Sequence, residues 1–228
     1  MSDPADLAGV LGSAPAAELA PRLLGARLSH GPVTVRITEV EAYAGREDPG
    51  SHAFRGPTPR TAVMFGPPGR LYVYVVYGMH HCANVVCGPE GTASALLLRA
   101  GEVVAGHELM EERRPGVPTR DWARGPGRLC RALGLDLRHD GADLGADVGA
   151  DAGADLGADL RPGPPGPRLE LDPDPPPGVQ TGPRVGLRAA ADVPWRFWLA
   201  GEPTVSAYRP AARPRGDRSR VDSGEPLG

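Results

Sequence analysis

The sequence predicts an α+β domain, and three observations carry that reading. Two stretches, Val33–Tyr43 and Leu71–Tyr77, alternate in strand fashion. The second leads through Gly78 into a short apolar run, Cys82–Val86, which is the pattern of a hairpin. Helical stretches bracket this strand-rich middle, and 228 residues are enough for one substantial core or at most two small ones.

Taken in order, an opening helix is expected at Ala16–Leu24, where Leu19, Leu23 and Leu24 recur at helical spacing. The two alternating strands and the Cys82–Val86 return strand follow, then a further strand at Ala95–Arg99. Val103–Arg114 is expected as a helix with its acids and arginines facing out. Gly125-Pro126-Gly127 opens another, which runs through Leu133 and stops at Gly134. Late strands are expected at Arg184–Leu187 and Trp195–Leu199.

Between the last helix and the late strands lies a low-complexity insert, residues 139–178. From Gly141 to Leu160 the tetrad Gly-Ala-Asp-x repeats five times, and a Pro-rich run follows to Gly178. A period of four is neither that of a pentapeptide solenoid nor that of a calcium-binding β-roll. Gly and Asp oppose both helix and strand, so a flexible acidic loop is expected, dispensable over 141–160. Residues 1–208 thus form the domain, and 209–228 a disordered tail with five arginines.

Composition narrows the chemistry. Residues 139–183 hold nine acids against two arginines, net −7, which leaves +4 for the rest of a chain whose total is −3. A mildly basic body suits phosphate contact better than the total does. All 25 basic residues are arginine, so a Schiff base through a lysine amine is excluded. Cys82, Cys87 and Cys130 have no zinc or iron–sulfur spacing. Their odd number, without a leading signal peptide, suits free thiols in a reducing, intracellular setting. No apolar run approaches a membrane span.

Strict alternation puts Val33, Val35, Ile37, Glu39, Glu41 and Tyr43 on one side of the first strand. Carboxylates at the edge of an apolar face are candidates for a raised pKa and general-base work. The competing reading is a plain ion pair of Glu39 or Glu41 with Arg36 or Arg99. In the hairpin, Tyr72 and Tyr74 face one way and Leu71, Val73, Val75 and Tyr77 the other. Tyr74 could stack on a ligand, and Tyr77 could project from the tip. Tyr72 could equally be core. Asn84, inside an apolar run, is either tied to backbone or aimed at a ligand. The chain has no zinc-deaminase pattern, nucleophile elbow or P-loop.

These residues, in order, resemble the alkyladenine (3-methyladenine) DNA glycosylases. The similar segments are Thr38-Glu39-Val40-Glu41-Ala42-Tyr43, Ser51-His52-Ala53-Phe54-Arg55-Gly56 with Thr58-Pro59-Arg60, Leu71-Tyr72-Val73-Tyr74 and Tyr77-Gly78-Met79. Asn84, Leu97-Leu98-Arg99-Ala100, Gly125-Pro126-Gly127-Arg128-Leu129-Cys130 and Arg184-Val185-Gly186 continue the series. The resemblance spans roughly 15–135 and 180–207 and leaves out the insert and the tail.

The resemblance implies a curved, mainly antiparallel sheet flanked by helices. It implies Glu41 as the general base that activates water, with Arg99 helping to hold that water and the nearby backbone. Tyr43, His52 and Tyr74 would sandwich a flipped base, and Asn84 would clash with the 2-amino group of guanine. Tyr77 would enter the minor groove as a wedge, with Met79 beside it. The implied partner is double-stranded DNA with damaged purines, handled by a cytoplasmic monomer without cofactor or metal. The absent lysine agrees with a monofunctional enzyme that leaves an abasic site. Two rivals remain: an idle damage- or RNA-binding module, and a hydrolase or transferase of small nucleosides.

Overall fold

The computed structural model describes residues 6–146, 166–174 and 176–211. Helix α1, Leu7–Gly12, is capped by Asp6, whose side chain accepts the Gly9 N–H. Helix α2, Ala16–Leu23, buries Ala16, Leu19, Ala20 and Leu23 and ends one residue before the predicted bound. Among the described residues, nine strands follow as one antiparallel sheet: β1 Arg27–His30, β2 Val33–Ala44, β3 Leu71–Val76, β4 His80–Cys87, β5 Ser94–Ala105, β6 Ala123–Arg124, β7 Arg168–Glu170, β8 Val179–Gly182 and β9 Arg196–Leu199. The main order is β3-β4-β5-β2-β1-β7. Strand β9 takes over the edge of β2 beyond the end of β1, with β8 outside it. The architecture is the expected α+β domain, an unclosed, curved sheet flanked by few helices.

The predicted helix at Val103–Arg114 is corrected. Strand β5 runs on to Ala105, because its second half pairs with the first half of β2, Gly101 opposite Ile37 and Val103 opposite Val35. The turn comes at Gly106, whose φ of +83° favours glycine and where a Cβ would meet the Pro32 carbonyl at 2.6 Å. Helix α3 is therefore short, His107–Arg113. Helix α4, Pro126–Leu133, stops at Gly134 as expected and buries Leu129, Cys130, Ala132 and Leu133.

The central feature is an irregularity shared by β2 and β5. The pairing register omits Thr38 and Arg99 while the ladders on both sides of them continue. Strict alternation therefore fails at this point. Val33, Val35 and Ile37 lie in the main core, and so do Val40 and Ala42, not Glu39 and Glu41. On β5 the same switch puts Leu96 and Leu98 in the core together with Val103. A bulge changes which face a strand's residues present. Here it turns Glu41, Tyr43, Leu97 and Arg99 away from the apolar core and toward a cleft.

The insert also departs from expectation where it is described. The Leu71 N–H donates to the Ala142 carbonyl at 2.9 Å, the Leu144 N–H to Gly69 at 3.0 Å, and Leu144 is fully buried. Strand β7, within the same insert, pairs with β1. The first repeat is thus ordered, and removal of residues 141–160 would take Leu144 from the core. Most of the remaining repeats, with the residues after them to 165, and the tail beyond 211 lie outside the described residues. All three cysteines are buried free thiols. Among the described residues no helix is long and apolar enough to cross a membrane.

Candidate active site

The cleft, about 410 Å³, lies where β2, β3, β4 and β5 meet the loops around residues 50 and 186. Its volume falls within the usual range for small-ligand pockets. Glu41, Tyr43, His52, Tyr74, Tyr77, Asn84 and Arg99 all line it. Met79 does not. It stands on the hairpin tip, 72% exposed.

Glu41 is fully buried between β5 and β9, opposite Leu97 on one side and Arg196 on the other. Its Oε1 accepts the Val185 N–H at 2.6 Å and lies 3.3 Å from Arg99 Nη1. Its Oε2 accepts the Tyr43 hydroxyl at 2.9 Å. All three neighbours are donors, as an acceptor-only carboxylate requires, and a carboxylate offers about four acceptor positions. One position is left, on a group that lines the cleft.

Glu39 is equally buried but has a different fate. It takes Arg99 Nε at 2.7 Å, Arg196 Nε at 2.8 Å, the Ser206 N–H at 2.6 Å and the Ser206 hydroxyl at 2.9 Å. Burial alone would raise its carboxyl. The charges of Arg99 and Arg196, with the Ser206 N–H, outweigh burial and hold the carboxyl below its ordinary value. Glu39 is thus an ion-pair anchor whose accepting capacity is used up. Arg36, the other candidate partner, pairs instead with Glu102 and Glu202.

Tyr72 and Tyr74 share the cleft face of β3, while Leu71 and Val73 go to the core, as alternation predicts. Their rings stack at 5.4 Å, and His52 meets the Tyr74 ring edge-on at 4.6 Å. The Tyr72 hydroxyl lies 3.4 Å from His52 Nδ1. Partial burial, then the Arg60 guanidinium, pushes the His52 imidazole below its ordinary value. Burial, then the Glu41 charge, pushes the Tyr43 hydroxyl well up, which keeps it a donor to Glu41. Asn84 does two things at once. Its side-chain amide donates to the Tyr72 carbonyl at 3.2 Å, and it borders the cleft.

Arg184–Leu187 is a turn and not the expected strand; the late strand before β9 is Val179–Gly182. Pro183 offers no N–H to a ladder, and the Val185 N–H is committed to Glu41. Sequence reasoning gave Arg184 no role, yet it ties this turn down. Fully buried, it makes a bidentate pair with Asp48 and donates to the Ala42 carbonyl at 2.9 Å. Its guanidinium packs over Tyr43 at 4.7 Å and Trp195 at 5.3 Å. Asp48, Val185, Leu187 and Cys82 were likewise missed as contributors. Only Val185 lay inside a quoted motif.

Tyr77 stands 90% exposed at the mouth. It occupies the first central position of the Val76–Met79 turn at φ +53°, with Gly78 at +71°. A positive φ at both positions marks a type I′ turn, which Asn, Asp and Gly prefer. A tyrosine there is backbone strain with no core contact in return. Among the described residues no group of three or more His, Cys, Asp or Glu could hold a metal ion.

One antiparallel platform thus brings together a buried carboxylate that lines the cleft, an aromatic wall and an exposed aromatic tip. The family model described as methylpurine-DNA glycosylase matches residues 11–203, and the chain belongs to that family. It is accordingly a DNA glycosylase, an enzyme of DNA repair. Relatives named "Putative 3-methyladenine DNA glycosylase" include one from Frankia casuarinae, 56% identical over 202 residues, with 88% of this chain and 92% of the relative covered. One from Leifsonia xyli subsp. xyli is 54% identical over 205 residues (84% and 87%). Another from Cutibacterium acnes is 50% identical over 197 (86% and 97%).

The Glu39 cluster yields a test. A carboxyl held below its ordinary value contributes stability that is full above that value, near 4.5, and is lost as pH falls through the depressed one. Glu39→Gln leaves the buried Arg196 guanidinium without a carboxylate and Arg99 with Glu41 alone, at a cost of about 3–5 kcal/mol at pH 7. Urea denaturation should show the gap between variant and wild type closing progressively as pH falls below 4.5.

Proposed function

We propose that the enzyme excises alkylated or deaminated purines from duplex DNA. In this reading it flips the damaged nucleotide and hydrolyses the N-glycosidic bond with water activated by Glu41. It leaves an abasic site with no lyase step. The observation that carries the reading is Glu41 itself, buried, lining the cleft and met by three donors, which leaves one of about four acceptor positions unused. A water there donates to the carboxylate and presents its lone pair to C1′. Arg99 and the Val185 N–H keep the carboxylate from rotating. A positioned base of this kind contributes about 10²- to 10⁴-fold.

The aromatic groups support the binding half. Extruding a base costs a few kcal/mol, less for a damaged or mispaired one, and stacking on an aromatic returns about 1–3 kcal/mol. The base would rest on the His52–Tyr74 wall with Tyr43 on its other side, and Asn84 would exclude purines that carry a 2-amino group. Tyr77 would fill the vacated stack, with Met79 next to it. A strained, exposed tyrosine is superfluous for a hydrolase of free nucleosides, which favours duplex DNA as substrate. With no lysine in the chain, no Schiff base leads on to strand cleavage through that side chain.

Glu41→Gln should cut single-turnover release of 3-methyladenine from alkylated DNA at least ~100-fold while lesion binding stays within about threefold. Normal release would refute the assignment. Tyr77→Gly should leave stability unchanged or slightly raised, since it relieves the left-handed strain, yet weaken retention of damaged duplex. Equal retention by both proteins would remove Tyr77 from the wedge role.

A further inference from the structure

One cation beside the aromatic wall of the cleft is not accounted for by the mechanism above. Arg99 is neutralised by Glu39 and Glu41, and Arg184 by Asp48. Arg60 is different. It forms no ion pair with a carboxylate among the described residues, and its guanidinium sits 5.4 Å above the centroid of the Tyr74 ring. The same group interacts with the Tyr72 hydroxyl, partly offsetting the rise that burial imposes on it, and its charge reaches His52. Three members of the aromatic wall therefore feel one uncompensated positive charge.

We propose that Arg60 sets the charge preference of the slot, selecting neutral deaminated or etheno purines over cationic alkylated ones. The inference rests on the excision reading given above. A base stacked on Tyr74 lies about one ring spacing from a π-face already occupied by a guanidinium. A cationic base gains from an electron-rich ring, but here it must share that ring with Arg60 and meet its repulsion. A neutral base meets no such penalty. When a neutral lesion leaves, negative charge develops on it, and a nearby guanidinium favours that change. The two effects push in the same direction. Arg60 would be a specificity-determining residue, and it would also assist the departure of neutral lesions.

Two unit charges about 9 Å apart near a surface, screened by solvent and salt, change relative rates by roughly three- to tenfold. The side chain is exposed, so Arg60→Gln should fold as the wild type does. The test compares release of hypoxanthine and 7-methylguanine from matched duplexes. Subsaturating enzyme is used, so that the rate reports passage from free DNA to the transition state. In Arg60→Gln the hypoxanthine to 7-methylguanine ratio should fall roughly three- to tenfold, and further in Arg60→Glu. The His52 imidazole, followed by NMR, should titrate at higher pH once the cation is gone.

An unchanged ratio overturns the proposal while leaving the excision reading intact. So does an equal loss on both lesions with a shallower salt dependence of duplex binding, which would make Arg60 a phosphate contact. An unmoved His52 titration overturns it as well. Release of neither base by the wild type would remove the reading on which it rests.

Discussion

The bulge that β2 and β5 share at Thr38 and Arg99 is the constraint from which the rest follows. Upstream of it, β2 delivers Val33, Val35 and Ile37 to the apolar core; downstream, Val40 and Ala42 continue that core. Without the switch in phase, Glu39 and Glu41 would point into hydrocarbon, where an unpaired carboxylate is prohibitively costly. With it, the two acids share a polar layer with Arg99, Arg196, Tyr43 and the Val185 N–H. The fold thus keeps a continuous core beneath a charged face, and the twelve-residue strands β2 and β5 span both.

Within that layer, charge is apportioned unequally. Two guanidiniums and two Ser206 groups converge on Glu39, while Glu41 receives one distant guanidinium contact, one hydroxyl and one backbone N–H. Arg99 bridges the two acids, so the anchored Glu39 orients the cation that steadies Glu41. The turn that carries Val185 is itself held from below by the buried Asp48–Arg184 pair, whose guanidinium backs the ring of Tyr43. Positioning of Glu41 is therefore distributed over three segments far apart in the chain. That arrangement holds the carboxylate in one orientation.

Much of this was legible in the sequence, for identifiable reasons. The faces of Tyr72 and Tyr74 followed from period-two alternation because β3 is short and regular. Helix α4 was marked by Gly125-Pro126 at one end and Gly134 at the other. The same alternation misassigned Glu39 and Glu41 to the apolar face, because a bulge depends on the partner strand and leaves no local trace. Val103–Ala105 read as helix because its flanking charges fit that pattern, but pairing with β2 overrode it. The Gly-Ala-Asp stretch read as a flexible acidic loop, and only the docking of Leu144 against Gly69 and the core shows otherwise for its first repeat. The Asp48–Arg184 pair joins residues 136 positions apart, a separation at which no spacing rule applies.

The central claim concerns where positive charge develops during bond cleavage, and a duplex with a pyrrolidine in place of the damaged nucleotide's sugar addresses it directly. On the proposed mechanism, that ring places a cation where C1′ would become electron-poor, next to the Glu41 carboxylate. Wild type should bind it far more tightly than a neutral tetrahydrofuran analogue, and Glu41→Gln should abolish the difference. Equal discrimination by the two proteins would contradict the account.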